Sequence, residues 1–110
     1  QLVDELSGKG IKDSKVLDMI NEIPRHLFMD NAFIQFAYKD KAFPIGAGQT
    51  ISQPFTVAFQ TELLQLKPYE KVLEVGTGSG YQAAVLIGLE ANVYTIERQK
   101  ELFVKTKELF

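Results

Sequence analysis

The spacing of apolar positions changes partway along the chain, and that change divides it. From Leu2 to Leu6 hydrophobic residues recur at helical intervals, until Gly8 and Gly10 stop the pattern. Asp13 stands where a helix wants an N-cap. Val16, Leu17, Ile20 and Ile23 then form an apolar stripe that Pro24 ends. Residues 25–43 carry Phe28, Phe33, Phe36, Tyr38 and Phe43 with no clean period, which predicts short helical turns and loop, with the aromatics used for packing. The stretch from Pro44 to Pro54 contains Gly46 and Gly48 and predicts a loop. Pro54 suits the first turn of a helix, with Ser52 or Gln53 at its N-cap. That helix is expected to run to about Leu66 and to bury Val57, Ala58, Leu63, Leu64 and Leu66.

Beyond Lys67–Glu70 the pattern shortens. Lys71 to Val75 reads as a strand, Gly76 to Gly80 as a glycine loop, and Tyr81 to Leu89 as an apolar helix. Asn92 to Ile96 reads as a second strand closed by Glu97, and a further helix begins at Gln99 and runs to Phe110. Strand, glycine loop, helix and strand in this order make a βαβ unit with a parallel sheet. The expected fold class is therefore α/β, preceded by a helical N-terminal region. The expected division is 1–54 for that region and its loop, and 55–110 for the first part of a ligand-binding domain. No internal repeat or low-complexity tract interrupts this reading.

Composition narrows the partners. In 110 residues the formal net charge is −2, which gives no reason to expect nucleic acid or an anionic membrane. There is no cysteine, so disulfides and thiolate metal sites are excluded, in keeping with a reducing compartment. No apolar run reaches the ~20 residues of a membrane span. The start, Gln1-Leu2-Val3-Asp4-Glu5, is polar and unlike a signal peptide, it lacks an initiator Met, and Phe110 falls within a helical pattern. Both ends are thus expected to be cut from something longer.

A glycine loop between a parallel strand and a helix marks a ligand site, because backbone without Cβ atoms can turn sharply and approach a bound molecule. Gly78-Ser79-Gly80-Tyr81-Gln82-Ala83 fits the dinucleotide fingerprint G-x-G-x-x-A. Started earlier, Glu74-Val75-Gly76-Thr77-Gly78-Ser79-Gly80 is an acid followed by G-x-G-x-G, the form common to S-adenosylmethionine methyltransferases. A pyrophosphate would be repelled by Glu74, whereas an ammonium and a sulfonium would be attracted. Glu97, at the end of the second strand, suits ribose hydroxyls in either case. Taken singly, the glycines could serve only a tight turn, Glu97 could be a solvated charge, and Glu74 could be a structural carboxylate.

Four stretches together resemble protein-L-isoaspartate O-methyltransferases: Pro24-Arg25-His26-Leu27-Phe28, Gly48-Gln49-Thr50-Ile51-Ser52-Gln53-Pro54, Val72 to Ala83, and Val93-Tyr94-Thr95-Ile96-Glu97-Arg98. The resemblance implies a Rossmann-like methyltransferase fold, truncated here. It implies S-adenosyl-L-methionine as cofactor and S-adenosyl-L-homocysteine as product. The implied substrate is an isoaspartyl (or D-aspartyl) residue in an aged protein, whose methyl ester collapses to a succinimide and partly returns to aspartate. Ser52 falls at the family's active-site serine, and Thr50, Ile51 and Ser52 at the join of cofactor and substrate. Glu74, Gly76, Gly78 and Gly80 fall at the methionine end and Glu97 at the ribose. Thr77, Tyr81 and Arg98 complete the expected cofactor-binding set. A cytoplasmic protein-repair enzyme is implied, with no metal and no nucleic-acid or membrane partner.

The residue types suit that chemistry. The acceptor carboxylate, with a reference pKa of about 4, is already ionised at neutral pH and needs no strong base. Alignment and exclusion of water are the protein's task. Ser52 can donate a hydrogen bond that orients the acceptor, or can cap the following helix. It is not expected to act as a nucleophile, since no His or Cys lies near it in sequence. His26, the only histidine, is expected to be structural. Other readings are a methyltransferase acting on a small molecule or nucleic acid, a nicotinamide-dependent oxidoreductase, or a non-catalytic module. The later strands, the adenine loop and the C-terminal segment of the family are missing. An open strand edge, possible self-association and little turnover by the isolated segment are therefore expected.

Overall fold

The structure, a computed structural model, describes residues 2–110; Gln1, the first residue of the polar start, lies outside the described residues. Helix α1 (Leu2–Gly8) ends as glycine permits. Gly10 takes φ 107° and the Ile11 amide donates back to the Leu6 carbonyl at 3.1 Å. Helix α2 (Ser14–Glu22) is capped by Asp13, whose carboxylate accepts from the amides of Lys15 and Val16. Short 3-10 helices follow at Arg25–Phe28 and Asn31–Phe36, as the aperiodic aromatic stretch predicted. Their rings pair: Phe33 and Phe36 both pack on Phe43, and Phe28 meets Tyr81 edge-on at 5.7 Å.

The expected loop after Pro44 is instead a hairpin. Strand β1 (Phe43–Gly46) pairs antiparallel with β2 (Gln49–Ile51) through a two-residue turn, Ala47-Gly48, in which both residues have positive φ. That geometry matches the twist of the flanking strands, and it usually announces itself as Asn-Gly or Asp-Gly. Here an Ala at φ 53°, two flanking glycines and Pro44 hide it. Burial of Ile45 and Ile51 anchors the hairpin to the core. The N-terminal region is therefore not wholly helical.

Helix α3 (Pro54–Leu64) packs on α1 and α2 through Val57, Ala58 and Thr61. Glu62 binds it to the turn before α2 by accepting from the Lys12 and Asp13 amides, each at 2.7 Å. The helix stops two residues earlier than expected, because Gln65 turns left-handed. Leu63 and Leu64 are not core: they are 66% and 51% exposed, and Leu66 is half-buried. Leu64 instead lines an open groove beside Val72 and Leu73, where the described residues supply no further strand.

The βαβ unit appears as predicted. Strand β3 (Lys71–Val75) and strand β4 (Asn92–Ile96) are parallel, with Leu73 opposite Tyr94, Glu74 opposite Thr95 and Val75 opposite Ile96. Helix α4 (Tyr81–Gly88) packs against β4 and α2, and helix α5 (Lys100–Leu109) buries Leu102 and Thr106. Strand alternation puts Leu73, Val75, Tyr94 and Ile96 together on the outer face, each more than half exposed. No helix among the described residues is long and apolar enough to cross a membrane.

Candidate functional site

The glycine loop is shaped by backbone that other residues resist. Gly76, Gly78 and Gly80 all have positive φ, at 90°, 56° and 87°. Its amides are largely spoken for. Those of Gly76 and Thr77 donate to the Ile96 carbonyl, Gly80 to the Thr77 carbonyl, and Tyr81 to the Ser79 hydroxyl. The Gly78 amide donates to Glu97 Oε1 at 2.8 Å, while the Gly78 carbonyl accepts from Thr106 at 2.6 Å. So few free amides are a poor cradle for a pyrophosphate, which needs several N–H groups aimed at it.

Two carboxylates give the loop its charge. The strand register sets Glu74 beside Thr95, whose hydroxyl donates to Glu74 Oε1 at 2.7 Å. Thr95 thereby spends its proton on Glu74, so in the 2.5 Å contact between the two threonine hydroxyls Thr77 is the donor. Burial pushes the Glu74 carboxyl above its ordinary value; the Thr95 bond opposes the rise and the neighbouring charge of Glu97 adds to it. Two acids held together in this way favour a cationic guest. Glu97 Oε2 also accepts from the Gln99 amide at 2.8 Å, so this carboxylate fixes both the loop and the start of α5. Each of its oxygens keeps lone-pair capacity for a further donor.

Across from the loop stands the segment after the hairpin. Thr50, Ser52, Gly76, Gly78, Glu97 and Arg98 line one cleft of about 610 Å³. Ser52, Glu74, Gly76 and Gln82 line a second, so Ser52 and Gly76 sit where the two meet. The Ser52 side chain is exposed, and its hydroxyl makes no hydrogen bond among the described residues. It is not the helix cap: Gln53 holds that position, and the free amide of Phe55 is taken by Asp40 at 2.7 Å. Asp40 also accepts from Gln53 and from Lys9. Burial alone would raise the Asp40 carboxyl, but the hydrogen bonds from Lys9, Phe55 and Gln53 and the Lys9 charge hold it below its ordinary value.

The remaining expected residues lie apart from both clefts. Ile51 and Tyr81 are each 1% exposed and belong to the core. Thr77 acts through its bond to Thr95, and Gly80 opens α4 against Thr106 and Phe110. His26 lies within hydrogen-bond distance of the Tyr38 hydroxyl through Nδ1 and lines neither cleft. Sequence reasoning missed three contributors. Asp40 acts from a distance that no local pattern reveals, and Thr106 occupies an ordinary register position of α5. Arg25 was visible only as part of a matching stretch, with no role. It is fully buried, donates through Nη2 to the carbonyls of Lys41 (3.2 Å) and Ser52 (2.9 Å), and lies 4.8 Å from the centre of the Tyr81 ring.

Known proteins resemble this chain along nearly its whole length. A profile of the family described as Protein-L-isoaspartate(D-aspartate) O-methyltransferase matches residues 1–109. Proteins named protein-L-isoaspartate O-methyltransferase are similar along the chain. That of Flavobacterium johnsoniae is 66% identical over 110 residues, covering 100% of this chain and 52% of its own length. That of Dictyoglomus thermophilum is 52% identical over 108 residues, covering 98% and 49%. The chain thus spans about half the length of the curated relatives it matches. Among solved structures, a protein-L-isoaspartate O-methyltransferase superposes with a TM-score of 0.84 at 28% identity, covering 97% of this chain and 36% of that one. Another, from Plasmodium falciparum and assigned to the same class, is in complex with S-adenosyl-L-homocysteine. It gives a TM-score of 0.81 at 28% identity, covering 97% and 52%.

Proposed function

The chain belongs to the protein-L-isoaspartate(D-aspartate) O-methyltransferase family, and on that footing we propose that it supplies the cofactor loop and the acceptor-orienting serine of a cytoplasmic enzyme that methylates isoaspartyl residues in damaged proteins. The observation that carries this reading is the pairing of an acidic, amide-poor glycine loop with the unengaged hydroxyl of Ser52 across the same cleft.

The donor set fits S-adenosyl-L-methionine. Glu74 suits the ammonium, directly or through water, and Glu97 suits the ribose hydroxyls. Gly76 leaves open space beside the backbone, where a Cβ would stand in the approach to the loop. When bound, this cofactor supplies a methyl group on a sulfonium; transfer to a carboxylate oxygen breaks the carbon–sulfur bond and leaves S-adenosyl-L-homocysteine. Ser52 donates a hydrogen bond that aims the acceptor carboxylate. The hairpin carrying Thr50 and the loop carrying Gly78 form the walls that hold the two reactants in line. In the resulting ester the backbone amide nitrogen displaces methanol to close a succinimide, and hydrolysis of that ring by water partly regains normal aspartate.

An isoaspartyl peptide and its aspartyl twin, offered with labelled cofactor to the natural polypeptide that carries these residues, test the proposal. Methyl transfer to the first alone supports it, and equal or absent transfer refutes it. Parallel titration with S-adenosyl-L-homocysteine and NAD decides the cofactor: NAD binding alone overturns the assignment.

A further inference from the structure

Arg25 is the only fully buried cation among the described residues, and it makes no ion pair there. Among the described residues its Nε and Nη1 find no hydrogen-bond partner, and neither does the hydroxyl of Tyr81 beside it. A buried guanidinium with no ion pair and two unpaired nitrogens is costly, and an apolar residue would fill the same space more cheaply. What it provides is geometry. Nη2 holds the Lys41 carbonyl just before β1 and the Ser52 carbonyl just after β2, which pins the base of the hairpin. The guanidinium lies over Tyr81, the first residue of α4 and the residue after Gly80.

We propose that Arg25 is a positioning residue: one planar group that sets the distance between the Ser52 segment and the glycine loop. The proposal rests on the function proposed above, in which those two walls align the reacting groups, and small misalignments cost much of the rate. Lysine cannot replace it, because a single ammonium lacks the rigid fork and the stacking plane.

The test compares Arg25→Lys and Arg25→Met with the wild-type natural polypeptide, by steady-state kinetics with isoaspartyl peptide and by amide hydrogen exchange. Arg25→Lys should melt cooperatively and keep KM for S-adenosyl-L-methionine within about twofold, while kcat falls at least about tenfold. Amides of residues 49–53 should exchange at least about tenfold faster, while those of β3 and β4 keep their rates. Unchanged kcat in both variants, or exchange that accelerates uniformly along the chain, overturns the proposal. Should neither Arg25 variant fold, Tyr81→Leu, which removes the ring under the guanidinium, carries the same expectations and the same refutation. A wild-type polypeptide without methyl transfer refutes the functional reading instead, and the exchange pattern then decides the role of Arg25 by itself.

Discussion

Asp40 and Phe55 lie 15 positions apart, and the carboxylate of the first accepts the backbone amide of the second at 2.7 Å. The start of α3, and with it the position of Ser52 immediately before, is therefore set from outside its own segment. Replacing Asp40 by Ala leaves that amide unpaired and removes a partner of Lys9 and Gln53. We expect a loss of about 1–2 kcal/mol in urea unfolding at pH 7. The depressed carboxyl value gives this contribution a pH window. It is present above the ordinary value of 3.8 and disappears as pH falls through the lower folded value. Thermal melts between pH 7 and pH 2 should show a steep acid limb in the wild type and a shallower one in Asp40→Asn.

Glu74 has the opposite sign. Its carboxyl is raised by burial, so the empty fold is favoured when pH drops toward the ordinary value of 4.5 and loses that gain as pH rises through the folded value. Glu74→Gln should therefore melt at neutral pH no lower than the wild type. Its affinity for S-adenosyl-L-homocysteine, measured calorimetrically, should nonetheless drop about tenfold, the scale of one lost charge-assisted contact.

Ser52→Ala separates two roles for one hydroxyl. A helix cap would cost about 1 kcal/mol on removal, but this hydroxyl bonds nothing among the described residues, so the melting temperature should stay within about 1 °C. Methyl transfer to an isoaspartyl peptide should fall about tenfold or more, the scale of a lost orienting contact. A clear drop in stability with unchanged turnover would reverse the assignment.

Thr106→Val keeps shape and removes the bond to the Gly78 carbonyl. Because Thr106 is buried, the unpaired carbonyl should cost about 1–2 kcal/mol, seen as a shift in the urea midpoint. Gly80→Ala should cost more. Its φ is 87°, and the new Cβ would stand 2.7 Å from Thr106 Cγ2 and 2.8 Å from Phe110. Left-handed strain and overpacking together predict about 2–4 kcal/mol.

Where neighbours in sequence decide a shape, the shape was readable. Asp13 capped α2 as its side chain required, and the glycines between two short β-branched runs announced the parallel unit with its strand limits. Where distant residues decide, the reading stopped. The Ala47-Gly48 turn lacks the residues that usually mark such turns, and its left-handed alanine persists because Ile45 and Ile51 are buried. Leu63 and Leu64 fit a helical stripe but stay more than half exposed. In the two adjoining clefts, Ser52, Glu74 and Glu97 stood out by motif. The groups that brace the walls around them, Asp40 at Phe55, Arg25 at the Ser52 carbonyl and Thr106 at the Gly78 carbonyl, reach in from other elements and leave no local mark.

Glu97 ties down Gly78 and Gln99 at once, so the floor of the cleft is braced from within before any guest arrives. Little ordering is left for a nucleoside to impose, and little entropy is lost when it docks. Capture should accordingly depend on how fast the molecule diffuses in, with scarcely any slow adjustment of the polypeptide afterwards.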